Sequence, residues 1–87
     1  MKITRMDPIG GAVSCQQQFI IEHYGKKYFK SYNTIIAEID RAGRITLDPM
    51  HNCSMTTKMF RGQFLGLNAK EVKRKIASGE IIIRNLN

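Results

Sequence analysis

The chain has 87 residues, of which 14 are lysine or arginine and seven are aspartate or glutamate, so its formal net charge at pH 7 is +7. This length fits one small basic domain over residues 1–87 and excludes a second core. Two cysteines are too few for a disulfide scaffold, and no apolar run is long enough for a signal peptide or a membrane span, so we expect a cytoplasmic protein that has no membrane contact.

The N-terminal part of the chain predicts a β-hairpin. Residues 19–24 and 28–32 are rich in aromatic and β-branched side chains, which favour strands. The break between them, Gly25-Lys26-Lys27, begins with a glycine that tolerates a positive φ, so we expect a turn there. Residues 2–6 could add a further strand, which would end at the turn-forming residues 7–11.

The next part of the chain predicts a second hairpin. Residues 34–40 and 44–48 have apolar side chains at alternate positions, which predicts strands with one buried face and one mixed face. Between them, Asp40 and Gly43 stand where a type I turn followed by a left-handed glycine requires them. The two hairpins together predict an antiparallel sheet that is covered on one side.

A loop and a short amphipathic helix follow the second hairpin. Pro49 and the short polar residues around it oppose both strand and helix. Ser54 or Thr56 is a suitable N-cap, and Gly66 can supply the left-handed residue that ends the helix. The apolar residues between these ends recur at helical spacing: Met59, Phe60, Phe64 and Leu65.

A second helix and a last strand complete the predicted fold. Asn68 with Glu71 three residues later forms a capping-box start, Gly79 is the expected stop, and the apolar stripe consists of Val72, Ile76 and Ala77. Residues 81–86 include three successive isoleucines, which favour a strand. We therefore predict an α+β fold: an antiparallel sheet of four to five strands, two short C-terminal helices packed on one face, and a closing C-terminal strand.

The basic residues are concentrated in the C-terminal part of the chain, where residues 55–87 contain seven lysines and arginines but two acidic residues. Cations along an exposed helix match the spacing of phosphates and gain from counterion release, although they can also form only a solvated surface. The candidate binding residues are Lys58, Arg61, Lys70, Lys73, Arg74 and Lys75. Aromatic residues of the first hairpin could stack on bases, but core packing is their favoured role: Tyr24, Tyr28, Phe29 and Tyr32.

The sequence offers little for catalysis or metal binding. Cys15, His23, His51 and Cys53 are zinc-type donors, but their spacing matches no common zinc module, so we expect neither metal nor cofactor. Cys53 could form a nucleophile pair with His51 or His23 as the base, yet the side chains of His51 and Cys53, two residues apart in an extended loop, point to opposite sides. No nucleophile elbow or phosphate-binding loop occurs in the chain. We therefore expect a binding protein and not an enzyme.

Several short motifs carry a family resemblance. They are SYNTIIA at residues 31–37, S-x-T-T at 54–57, Phe64-Leu65, and Ser78-Gly79-Glu80-Ile81. In combination they resemble a family of small phage and prophage proteins of unknown function, over roughly residues 29–83. Members of that family carry an aromatic residue, usually tryptophan, in the loop before S-x-T-T, whereas this chain has residues 50–53, MHNC. The resemblance brings no catalytic residues.

The resemblance implies a phage protein in the cytoplasm of a bacterial host, where small non-enzymatic proteins often bind and block a host machine, including CRISPR effectors. Our first hypothesis is therefore a stoichiometric inhibitor of a host defence protein or ribonucleoprotein. The alternative is a nucleic-acid-binding accessory protein that places its basic C-terminal helix against DNA or RNA phosphates. A homodimer is a further expected partner, because so small a core gains stability by association.

Overall fold

The computed structural model describes residues 1–7 and 17–87; Cys15 and the predicted turn at Gly10-Gly11 lie outside these ranges. The described chain forms six strands and two helices, which confirms the predicted α+β class. The strands are β1 (Lys2–Arg5), β2 (Gln18–His23), β3 (Lys26–Ser31), β4 (Thr34–Ile39), β5 (Ile45–Leu47) and β6 (Ile81–Ile83). The helices are α1 (Met55–Leu65) and α2 (Ala69–Ser78).

All described strands belong to one sheet, in which the spatial order follows the chain order from β1 at one edge to β6 at the other. Neighbours from β1 to β5 are antiparallel, as predicted, whereas β6 runs parallel to β5. The sheet is thus mixed, and its six strands are close to the predicted number. The parallel pair has a topological reason, because α1 and α2 form the crossover that parallel neighbours require.

The hairpin turns follow from residues that accept a positive φ. Tyr24 (φ 52°) and Gly25 (φ 78°) form the two-residue connection of β2 to β3, as in a type I′ turn. The turn is therefore shorter than predicted, because Lys26 already pairs with His23. In the second hairpin Gly43 has φ 84°, and its N–H donates to the Asp40 carbonyl oxygen at 3.0 Å, which confirms the predicted turn.

Both helices begin and end at residues that the sequence singled out. Ser54 is the N-cap of α1, where its hydroxyl oxygen accepts from the Thr57 N–H, and the left-handed Gly66 ends that helix. Asn68 and Glu71 form a complete capping box at the start of α2. Because these caps satisfy backbone groups that the helices leave unpaired, they fix where each helix begins relative to the sheet.

The core lies between the helices and one face of the sheet. Phe29, Ala37 and Leu47 occupy one cross-strand row, and Ile81 projects from the same face of the neighbouring β6. The buried apolar residues that form this core are Met6, Phe29, Ile36, Ala37, Leu47, Phe60, Val72 and Ile81. Helix α1 packs over β3, and α2 packs beside β6. This packing places the two helices next to the loop that precedes α1.

Candidate cationic pocket

A cavity of about 450 Å³ opens between α1, α2 and the loop before α1. A cavity of this size falls within the usual range of ligand pockets, about 300 to 1,000 Å³. Its polar side consists of the loop residues His51 and Asn52 and of three cationic side chains, Lys58, Arg61 and Lys73. Its apolar side comes from α2 and consists of Ala69, Val72 and Ile76. Among the described residues, no aspartate or glutamate lines it, so the cavity is electropositive.

Arg61 is the most buried charged residue of this pocket, with 3% of its surface exposed. The spacing of α1 explains its position, because Thr57, Phe60 and Phe64 occupy the same buried helix face at intervals of three and four residues. Its Nη1 donates to His51 Nδ1 at 2.7 Å and also contacts the His51 carbonyl oxygen and Asn52 Oδ1. The loop therefore holds the guanidinium in one orientation.

The guanidinium of Arg61 has no counter-ion within the protein. All seven acidic side chains of the chain belong to the described residues, and none of them lies within 4.0 Å of an Arg61 nitrogen. Its enclosed Nε has no hydrogen-bond partner among the same residues. Burial lowers the pKa of Arg61, but a guanidinium remains protonated at neutral pH. A buried cation without a counter-ion destabilises the free protein unless an anion compensates it.

His51 supports Arg61 as a neutral imidazole. Every guanidinium nitrogen is a donor, so Nδ1 of His51 must accept, and the ring proton of the neutral form resides on Nε2. Burial, and next the positive charge of Arg61, lower the pKa of His51, although the carboxylate of Asp48 opposes this shift. The positive charge of the pocket therefore resides on Arg61 and the two lysines, and His51 adds an N–H donor.

Asp48 anchors the beginning of this loop. Its buried carboxylate accepts from the N–H groups of Leu86 and Met50 at 2.8 and 2.9 Å and from Nδ2 of Asn87 at 3.0 Å. Burial by itself would raise the pKa of Asp48, but these hydrogen bonds outweigh burial and hold the pKa below its ordinary value. The C-terminal segment is thereby fixed against the loop that carries His51.

The six candidate binding residues fall into three settings. Lys58, Arg61 and Lys73 line the cavity. Lys70 and Arg74 are exposed and lie one helical turn apart on α2. Lys75 is 3.5 Å from the carboxylate of Glu80, which neutralises part of its charge. The structure thus separates a pocket set from an outer set.

The loop residues of the pocket were not among the candidates from sequence. His51 was considered only as a metal ligand or a base, and Asn52 only as part of the loop. Their contact with Arg61 spans nine to ten positions of the chain. One signal was available for Arg61 itself, because its spacing from Thr57, Phe60 and Phe64 places it on the buried side of α1.

The aromatic residues of the first hairpin divide between core and surface. Phe29 is fully buried and lies 5.9 Å from the ring of Phe64, as core packing predicts. Tyr28 is half-buried, and burial, followed by the nearby Glu38, raises its pKa. Tyr24 and Tyr32 are exposed in turns at 76% and 51%. These two tyrosines therefore do not pack in the core, contrary to the prediction.

Cys53 and the histidines form no cluster in the described part of the chain. No group of three or more His, Cys, Asp or Glu side chains is placed there to hold a metal ion. The exposed Cys53 lies with its Sγ 3.5 Å from Thr57 Oγ1, and His51 Nδ1 is occupied by Arg61. Cys15, the fourth donor that the sequence suggested, lies outside the described residues.

The comparisons with known proteins identify a family. A family of unknown function, DUF8033, matches residues 1–80. The chain belongs to DUF8033. The match includes every residue that lines the pocket, and it confirms the expectation of a family without an assigned function. No curated protein and no solved structure matches the chain. Neither described helix of this family member is long and apolar enough to cross a membrane.

Proposed function

We propose that the protein is a non-enzymatic binding protein that holds nucleic acid on the surface formed by α1 and α2. The observation that supports this proposal is the electropositive pocket, in which Arg61, Lys58 and Lys73 meet without an acidic residue among the described lining side chains. An arginine buried without a counter-ion suits an anionic ligand, since its free energy falls when a negative charge approaches.

The outer cations favour a polyanion over a small anion. Lys70 and Arg74 continue the positive charge of the pocket along the exposed side of α2. A partner that satisfies separated cations needs several regularly spaced negative charges, and the phosphates of DNA or RNA supply them.

A charge-reversal experiment tests this proposal. Lys70→Glu with Arg74→Glu should weaken the binding of labelled single-stranded and duplex oligonucleotides, measured by fluorescence anisotropy at low salt. The matched control is Lys2→Glu with Arg5→Glu, which reverses two exposed charges on β1 at the opposite edge of the sheet from β6. Equal affinity of both variants, or no binding of any nucleic acid by the unmodified protein, would contradict the proposal.

A second candidate function is inhibition of a host defence system, as the resemblance to phage proteins implies. The cationic surface favours one route to inhibition, because a protein that binds nucleic acid can compete for the guide RNA or target DNA of a defence ribonucleoprotein. Phage that carry the gene should then plate better on defended bacterial hosts than phage without it. Equal plating, together with no defence component recovered by pulldown from host lysate, would exclude this function.

A homodimer is also a proposal for this chain. The support is the pair of sheet edges, since β1 and β6 each have an unpaired side in the described sheet, and Ile82 on β6 is 53% exposed. Exposed strand edges are sites at which two chains can associate. Light scattering during size-exclusion chromatography should give twice the monomer mass of 10.0 kDa if the dimer forms.

A further inference from the structure

We infer that the cavity between α1 and α2 is a binding site for one phosphate monoester, the group found at a phosphorylated strand end. This inference rests on the proposed nucleic-acid binding and assigns a distinct role to the pocket. The outer pair, Lys70 and Arg74, would contact the continuous backbone, whereas Arg61, Lys58 and Lys73 would enclose the terminal phosphate.

Because Arg61 is buried at a cavity, its position favours a terminal phosphate over an internal one. A phosphodiester has a sugar on both sides and carries a single negative charge, so it suits exposed lysines on a convex helix. A monoester has one ester link, three terminal oxygens and a charge of about −1.5 to −2 at neutral pH, so it can enter a cavity. Three cationic side chains around one cavity match that higher charge.

The hydrogen bonds of Arg61 leave donors available for such a ligand. Nη1 is engaged by His51 and Asn52, whereas Nη2 makes no hydrogen bond among the described residues. Because the loop already fixes the guanidinium plane, little side-chain entropy remains to be lost when Nη2 donates to a phosphate oxygen. Lys58 and Lys73 approach from the two helices and can donate to the remaining oxygens.

The apolar side of the cavity fits the nucleoside that bears the phosphate. Ala69, Val72 and Ile76 follow one face of α2 at intervals of three and four residues, and they line the cavity beside Lys73. Ligand pockets usually combine an apolar wall with a few fixed polar groups. A sugar or base edge can pack against this wall while the phosphate reaches Arg61.

The first experiment compares strands that differ only in the terminal group. Oligonucleotides of one sequence with a 5′-phosphate, a 3′-phosphate or hydroxyls at both ends are titrated by anisotropy, with inorganic phosphate and a nucleoside monophosphate as competitors. One phosphorylated end should bind about 12- to 140-fold more tightly than the hydroxyl strand, since one charge-assisted hydrogen bond contributes about 1.5 to 3 kcal/mol and each 1.4 kcal/mol is about tenfold. If the nucleoside monophosphate binds the cavity and no strand does, the source of the phosphate is a free nucleotide.

Variants on one helix connect that preference to the pocket. Lys73→Gln should abolish the preference for the phosphorylated end, and Lys70→Gln, on the outer side of the same helix, should retain it. Both residues are exposed, so both variants should fold, and circular dichroism checks this. Arg61→Lys should also lose the preference, because an ammonium group cannot reproduce the fixed guanidinium geometry.

The outcomes separate this inference from the proposed function. Equal affinity for phosphorylated and hydroxyl strands would overturn the monoester site and leave nucleic-acid binding intact. A preference that survives Lys73→Gln would also overturn it. Absence of strand binding, combined with thermal stabilisation by the nucleoside monophosphate that Lys73→Gln removes, would overturn the proposed function and support the pocket.

Discussion

The salt dependence of nucleic-acid binding can be predicted from the cations that the structure places on one surface. The three pocket cations surround one terminal phosphate of charge about −2, and Lys70 and Arg74 contact two backbone phosphates, which gives about four neutralised charges. Each neutralised charge contributes about −0.7 for single strands or −0.9 for duplex to the slope of log K against log salt, so the affinity for a phosphorylated strand should fall about 50- to 150-fold between about 50 and 200 mM salt.

Removing the outer pair should change this slope by a calculable amount. With Lys70→Ala and Arg74→Ala, only the charge of the terminal phosphate remains neutralised, and the loss over the same salt range should shrink to about 7- to 12-fold. Fluorescence anisotropy at four KCl concentrations measures both slopes, and Lys2→Ala with Arg5→Ala on β1 is the control that should keep the original slope. A slope below about 1 for the unmodified protein, or the same slope in both variants, would refute the reasoning.

Three further predictions concern the fold that holds the pocket. Val72→Asp places a carboxylate in the core at a residue that is 2% exposed, so this variant should be unfolded and show no cooperative transition in a thermal melt. The control Lys73→Glu, at an exposed neighbour, should keep the melting temperature. Ser54→Ala should remove the cap of α1, cost about 1 kcal/mol and lower Tm by about 4 to 8 °C, whereas Ser78→Ala should change Tm less. Because the pKa of His51 is lowered in the folded protein, the unfolded chain takes up this proton first as the pH falls, so the free energy of unfolding should decrease between about pH 7 and 5. In a pH series of denaturant melts, His51→Asn should flatten this part of the curve. The stabilisation that comes from the lowered pKa of Asp48 should be lost only at lower pH.

Local signals in the sequence predicted the helix ends and the second turn. Ser54, Asn68 and Gly79 act through groups within three or four residues, so their roles can be read without knowledge of the rest of the fold. The same holds for Asp40 and Gly43, whose hydrogen bonds stay within one turn. Such features depend on short-range geometry alone.

Features that depend on distant parts of the chain were not predicted. The direction of β6 is determined by how two intervening helices cross the sheet, and three isoleucines in sequence favour either direction. Arg61 was grouped with exposed cations because of its charge, although its helical spacing indicated burial. Its partners His51 and Asn52 come from a loop whose shape depends on Asp48 and the C-terminal segment. A pocket that joins such segments exists only after folding.

NMR titration tests most directly whether phosphate binds in the cavity between α1 and α2. In ¹H–¹⁵N spectra of the labelled protein, an oligonucleotide phosphorylated at the end that binds more tightly should shift the Arg61 Nε–H signal and the amides of Lys58, Ala69 and Lys73, all from residues that line the cavity. Inorganic phosphate should shift the same Arg61 signal at higher concentration. Shifts confined to other surfaces, such as the turns at Tyr24 and Tyr32, with the Arg61 signal unchanged, would contradict the account.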